Sequence, residues 1–381
     1  MGPVENSVAS LSTAIRTGDG IEFDLRLLQD GTVVLHHDRT PSIPKAARED
    51  GPAWVEQWAY EDLQGHGLER FDDLLSQRGV AEAWREQAKV GVIEIKRPHP
   101  RVVGARPGFD HRQDVQHMVS LVAEVSRQLE EAEIPHQNTV LYAFHPRMQE
   151  VVQQAGWTRP WSRLTPNLPP YGGRTVQRAV AAPSFATNSF ARLVNRQQRL
   201  GSAMIPCALD YLSGPTRHLP IGRTVGLHGG GLKRLNKARK GFPVYVWPAP
   251  LALEEDLLRA GLTCLSDDVD SPKVRHPSGK VRWTRPASAP LEHEAPAASS
   301  DEEAASVLRE WRNDVAPWHE LSPNEQRSHM AKWRQRWGWS RSVDDLMDDV
   351  LEGGATMPWE AVRLVGHRGC GVSERPVLKG P

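Results

Sequence analysis

GIEFDLRLLQDGTVVLHHD, residues 20–38, reads as a strand, a tight turn and a second extended segment. GIEFDLRL (20–27) is apolar and β-prone, QDG (29–31) is a turn tripeptide, and TVVLHHD (32–38) is extended again. Glu22 and Asp24 stand two apart, so in a strand both side chains point to one side. Two carboxylates on one side of a buried strand repel each other. A cation between them removes the conflict, whereas a solvated edge strand never meets it. VGVIEIK (90–96) repeats the arrangement with Glu94 and Lys96, in a segment apolar enough to be central. Charge there is expensive unless it is used or closed into a Glu–Lys ion pair. Glu94 beside Glu22 and Asp24 completes an oxygen site for Mg²⁺ or Ca²⁺, and Lys96 can then face a phosphate oxygen.

Working outward, strand-like and helix-like segments alternate through residue 285, which predicts an α/β protein with a parallel sheet. ERFDDLLSQRGVAEAW (69–84) has helical spacing, and 113–133 forms a long amphipathic helix with Val115, Met118, Val122, Val125 and Leu129 on one face. TVLYAF (139–144), RTVGLH (223–228), PVYVWP (243–248) and LTCLSDD (262–268) are further strands, and PWSRLTP (160–166) is a weaker one. The rest of 157–222, rich in Pro, Gly and Arg, shows no dominant period. From 285 to 300 the composition turns to Pro, Ala, Ser and Glu, as in a linker. Three short helices follow, opened by Ser300 with Glu303, by Ser322–Pro323 with Glu325, and by Ser342. The Trp/Arg-rich stretch KWRQRWGWS (332–340) reads as a cap whose tryptophans pack on the main body. AVRLVGHRG (361–369) is a last strand running into a polar loop.

The 381 residues suffice for one barrel of about 250 residues plus an added piece. Lys+Arg and Asp+Glu are both 47, so no global basic surface points to nucleic acid. Cys207, Cys264 and Cys370 are far apart, which argues against a disulfide framework or a zinc site. The N-terminus lacks a basic segment followed by an apolar run, and no stretch approaches 18 apolar residues. A cytoplasmic enzyme is the default expectation.

His37 with Asp38 ends one extended segment, and His367 with Arg368 ends another. Two histidines beside a metal can supply a general base and a general acid, and the Arg368 fork matches a phosphate. All these residues fall at the ends of expected strands, where barrel enzymes build their sites. GHRG (366–369), VENS (4–7), IEFD (21–24), QDGTVV (29–34), His37-Asp38 and Glu94-Ile95-Lys96 together resemble the motifs of glycerophosphodiester phosphodiesterases. YAF (142–144), VYVWPAP (244–250) and GLTCLSDD (261–268) match that family's later strands. The order is rotated, since the HRG strand, first in the family, comes last here. Departures are Ala143 in place of a Ser, Pro248-Ala249-Pro250 in place of a Thr-Val-Asn run, and Ser266-Asp267 in place of Thr-Asp.

The resemblance implies a TIM (β/α)8 barrel of the phospholipase C-like phosphodiesterase type, circularly permuted. Residues 1–285 and 359–381 would form the barrel, and 286–358 a linker and helical connector. It implies metal-dependent hydrolysis of a glycerophosphodiester or lysophospholipid to glycerol 3-phosphate and an alcohol. Glu22, Asp24 and Glu94 would hold one divalent metal, Mg²⁺ or Ca²⁺. Lys96 and Arg368 would bind the phosphate, and His37 and His367 would be the acid/base pair. Glu5 and Asn6 would order the loop near His367, with Asp38 and Trp247 in supporting places. Two other readings stay open: a sphingomyelinase D-like lipid phosphodiesterase forming a cyclic phosphate, and an inactive phosphodiester-binding barrel.

Overall fold

The computed structural model describes residues 3–43, 51–104, 112–166, 168–219, 224–269, 274–282, 298–314, 316–354 and 356–371. Strand β1 (Gly20–Leu27) is buried along its whole length. Its neighbours are β4 (Val90–Ile95) on one side and β10 (Leu364–Gly366) on the other, both parallel to it. From β4 the sheet continues through β5 (Thr139–Ala143) to β6 (Trp161–Arg163). From β10 it continues through β9 (Thr263–Ser266) and β8 (Val244–Ala249) to β7 (Ile205–Ala208). A bridge between Thr165 and Cys207 joins β6 to β7, with Ala203 N–H donating to Trp161 O at 2.8 Å and Thr165 N–H to Pro206 O at 3.2 Å. Eight parallel strands thus close into a TIM-type barrel, and Glu22 and Asp24 lie on a central strand, not on a solvated edge.

Side-chain parity builds the layers. On β1, Ile21, Phe23 and Leu25 point outward into an apolar cluster shared with the helices Val8–Thr17, Arg78–Glu86 and Val115–Glu131. The inner cluster holds Val90, Val92, Val140, Tyr142, Tyr245, Leu265 and Val365. Gly91 is required by a close approach: a Cβ there would lie 1.8 Å from the Trp84 ring. Strand β2 (Val33–Leu35) folds back antiparallel on β1, pairing Leu35 with Leu25, and a short β3 (Glu69–Arg70) pairs with β2. This hairpin carries residues 36–38 back over the C-terminal end of β1, where the His36 N–H donates to Asp24 O at 3.0 Å.

The three late helices are Asp301–Asp314, Pro323–Trp337 and Val343–Glu352. Ser322 with Glu325 and Ser342 with Asp345 form capping boxes. Trp318, Trp333, Trp337 and Trp339 are buried in one cluster with Leu235, Phe242 and Val244 of the barrel wall. The tryptophan-rich stretch is therefore packing, as its amphipathic face predicts. Gly261, at φ 75°, is needed there, because a Cβ would lie 2.5 Å from the Trp337 ring.

Two expectations are corrected. RTVGLH (223–228) is not a strand: Thr224–Gly226 lack regular structure, and a helix starts at Gly229. The strand of that sector is IPCA (205–208), hidden because Pro206 cannot donate to a ladder; its carbonyl accepts from Thr165 instead. The 69–84 helix is two helices, Phe71–Leu75 and Arg78–Glu86, broken at Ser76–Gln77. Most of the expected linker, 286–297, lies outside the described residues.

Candidate active site

The parallel strands put their C-terminal ends on one face of the barrel, and the site is assembled there. Asp24 pairs with Glu94 across β1 and β4, and Ile21 with Gly366 across β1 and β10, which sets His367 beside Glu22. Glu22, Asp24 and Glu94 are buried, with one carboxylate oxygen of each within 4.8 Å of the others. Lys96 Nζ lies 2.8 Å from Asp24 and 2.5 Å from Glu94. Tyr142, inward on β5, donates its hydroxyl to Glu22 at 3.3 Å.

Arg368 sits in the left-handed region at φ 52°, unusual for a residue other than glycine and typical of over-determined sites. Its amide donates to Glu22 Oε2 at 3.0 Å, its carbonyl accepts from the Asn6 amide at 3.0 Å, and its guanidinium lies 3.4 Å from both Asp24 and Glu5. The Asn6 side chain donates to Asp24 at 2.7 Å and accepts from the Asp24 amide at 2.9 Å. Glu5 and Asn6 thus join the N-terminal segment to the β10 loop at the site.

The charges are unequally compensated. Burial, with Asp24 adding to it, pushes the Glu22 carboxyl up to about 7. Burial also raises Glu94, again with Asp24 opposing its ionisation, although Lys96 works the other way. Asp24 is buried too, but Lys96, His37 and Arg368 outweigh that cost and hold it well below the usual carboxylate range. Ionising all three carboxylates together is costly, and a hard divalent cation is the partner that removes the cost. The donor set therefore fits such an ion.

The two histidines are shifted in opposite directions. Burial lowers His37 to about 3, with Lys96 adding to it, and its Nδ1 lies 3.0 Å from Asp38. Burial also works against charge on His367, but Glu22 and the Asp267 hydrogen bond outweigh it and raise the group. His367 Nδ1 is 2.6 Å from Asp267 and its Nε2 is 3.9 Å from Glu22. Trp247, inward on β8, meets Phe144 edge-on at 5.5 Å, and both pack on the inner apolar cluster.

The structure brings every expected site residue to this face and adds some that the sequence reading did not use. Asp267 stands where the related motif carries its Asp, so that match was its signal. Tyr142 precedes Phe144 by two and shares its side of β5. Asp114, Arg97 and His145 form a buried network beneath the mouth, with Arg97 at 2.7 Å and His145 at 2.9 Å from Asp114. No local pattern links them, because Asp114 lies ahead of a helix and the others follow different strands.

Residues 2–153 match the Glycerophosphoryl diester phosphodiesterase family. No curated protein matches the chain. Among solved structures, a glycerophosphodiester phosphodiesterase from Thermotoga maritima is similar at 14% identity, over 70% of this chain and 90% of that one, with a TM-score of 0.43. An Oleispira antarctica phosphodiesterase, solved in complex with the product sn-glycerol-3-phosphate, shares 13% identity over 68% of this chain and 86% of its own, at a TM-score of 0.42. The family match covers residues 2–153 alone, a stretch that includes Glu22, Asp24, His37, Glu94 and Lys96 and excludes His367 and Arg368.

Proposed function

We propose that the barrel mouth hydrolyses glycerophosphodiesters to glycerol 3-phosphate and an alcohol, with one divalent cation held by Glu22, Asp24 and Glu94. The observation that carries this reading is the buried carboxylate triad set between two histidines of opposite shift. A bound divalent cation supplies Lewis-acid stabilisation of the phosphodiester oxygens. Lys96 and Arg368 add donors to the same oxygens, and Arg368 presents them as a planar fork. His37 is neutral at neutral pH and accepts the proton of the attacking oxygen. His367 is the better proton carrier, held at Nδ1 by Asp267, and its Nε2 delivers a proton to the leaving alcohol. Phe144 and Trp247 shield this exchange from water.

The chain order is, in the same reading, a circular permutation of the family's order. Its support is that β10, last in sequence, lies between β1 and β9 and carries GHRG. Residues 1–285 and 359–381 then make the barrel, and 286–358 a connector that covers part of its wall.

The test is turnover of glycerophosphocholine by protein stripped with EDTA and then given Mg²⁺ or Ca²⁺, followed by phosphorus NMR. The expected result is a metal-restored monoester product, with turnover lost by about 10²–10⁴-fold in both His37→Ala and His367→Ala. A cyclic phosphate would replace the hydrolytic reading with the sphingomyelinase D-like one. Metal-bound, folded protein without turnover would leave the binding-module reading.

A further inference from the structure

Charge along this neutral chain is strongly segregated. Residues 151–250 contain eleven Arg and three Lys against a single carboxylate, Asp210. These residues build the β6–β8 sector of the barrel. In the ring β7 stands opposite β1, with three strands between them on either side, so the helices that flank β7 lie across the barrel from the carboxylate triad. A sector with so few carboxylates of its own repels itself, and an anion relieves that repulsion.

The sector also holds a cavity of about 460 Å³ between the helices Phe190–Arg199 and Gly229–Arg239. Arg217, Arg234, Lys237 and Lys240 line it, and no carboxylate does. Among the described residues none of these four is in an ion pair. Arg217 Nε lies 3.1 Å from His218, and Arg234 Nε donates to the Thr224 carbonyl at 2.5 Å, so that among the described residues the other donors of both forks are left for a ligand. Phe190 and Tyr211 give the cavity an apolar side. A volume of this size suits a small ligand, and four cations beside an apolar side suit an organic phosphate.

We propose that this cavity is a second binding site, distinct from the barrel mouth, for a phosphate-bearing ligand: a free organic phosphate or the headgroup of an anionic phospholipid. A concave site with an aromatic side favours a small phosphorylated group over an extended polyanion, which would use a flat or tracking surface.

The test reads the site directly. Acetylation of Lys237 and Lys240 is followed by mass spectrometry with inorganic phosphate, sn-glycerol 3-phosphate, or vesicles of phosphatidylglycerol in phosphatidylcholine. Saturable protection of both lysines is expected, with Lys332 as the unprotected reference. The half-saturating concentration should rise by about tenfold or more in Arg217→Gln. It should stay unchanged in His37→Ala, which separates this site from the catalytic one. Arg217 is on a short surface turn, and circular dichroism checks that the variant folds. Protection by the soluble phosphates identifies a free ligand, and protection by vesicles alone identifies a headgroup. Absence of protection, protection unaltered in Arg217→Gln, or protection only by a DNA oligonucleotide would overturn the proposal.

Discussion

Asp267 shows how one side chain can set the chemistry of another. It lies 2.6 Å from His367 Nδ1, and together with Glu22 it outweighs the effect of burial and raises that imidazole. The proton-bearing form therefore persists below the raised value and is lost as pH climbs through it. His37, lowered to about 3, stays neutral across that whole range and adds no acidic limb near neutrality. On the alkaline side turnover should accordingly fall. In Asp267→Asn that alkaline fall should move to lower pH, because a partner of the imidazolium has gone. The pH profile of kcat/KM checks this; an unmoved alkaline limb would show that Asp267 does not govern His367. Asn6 acts at the same scale. Its two bonds to Asp24 aim one triad carboxylate, and no strand or helix is needed to place it.

At the scale of elements, buried ion pairs fasten segments that could not pack by apolar contact alone. The segment 274–282 is tied to the helix Leu251–Arg259 by Arg282 and Glu254, at 2.7 Å with side chains only 2% and 0% exposed. Arg282 also donates to the Asp268 carbonyl, and Ser266 to Glu254, so the pair holds the turn that carries Asp267. Arg282→Ala would leave a buried carboxylate uncompensated. The expected loss is about 3–5 kcal/mol in denaturant unfolding, with lowered turnover even where the protein is folded. A change below about 1 kcal/mol would mean that water reaches Glu254. The helices were legible wherever an amphipathic face met a cap, as at Ser322 and Ser342. The strand IPCA was not, since four residues with a proline carry no period of their own.

At the scale of the molecule, closure of the ring depends on the last strand in sequence. β10 supplies the parallel partner for both β1 and β9, and Asp19 accepts from the Leu364 amide at 2.8 Å. A chain ending at Glu360 would expose both flanking edges and lose His367 and Arg368 at once. It should lose cooperative thermal unfolding, as followed by circular dichroism. A cooperative transition near that of the full chain would show that the remaining strands close without β10. The permuted reading has the same root, because first and last barrel strands are neighbours and their connection can be moved.

The sequence by itself determined the strand and helix alternation, the side of β1 to which Glu22 and Asp24 point, and the residue types needed for phosphodiester chemistry. These follow from local periods of two and 3.6 and from turn chemistry, which neighbouring residues carry among themselves. Only the tertiary structure decided that His367 meets Asp267, that Asp114 joins Arg97 to His145, that Pro206 lies in a barrel strand, and that the basic stretch 151–250 encloses a cavity. Those contacts join residues far apart in the chain, and their geometry is set by ring closure and by helices packed on its outside.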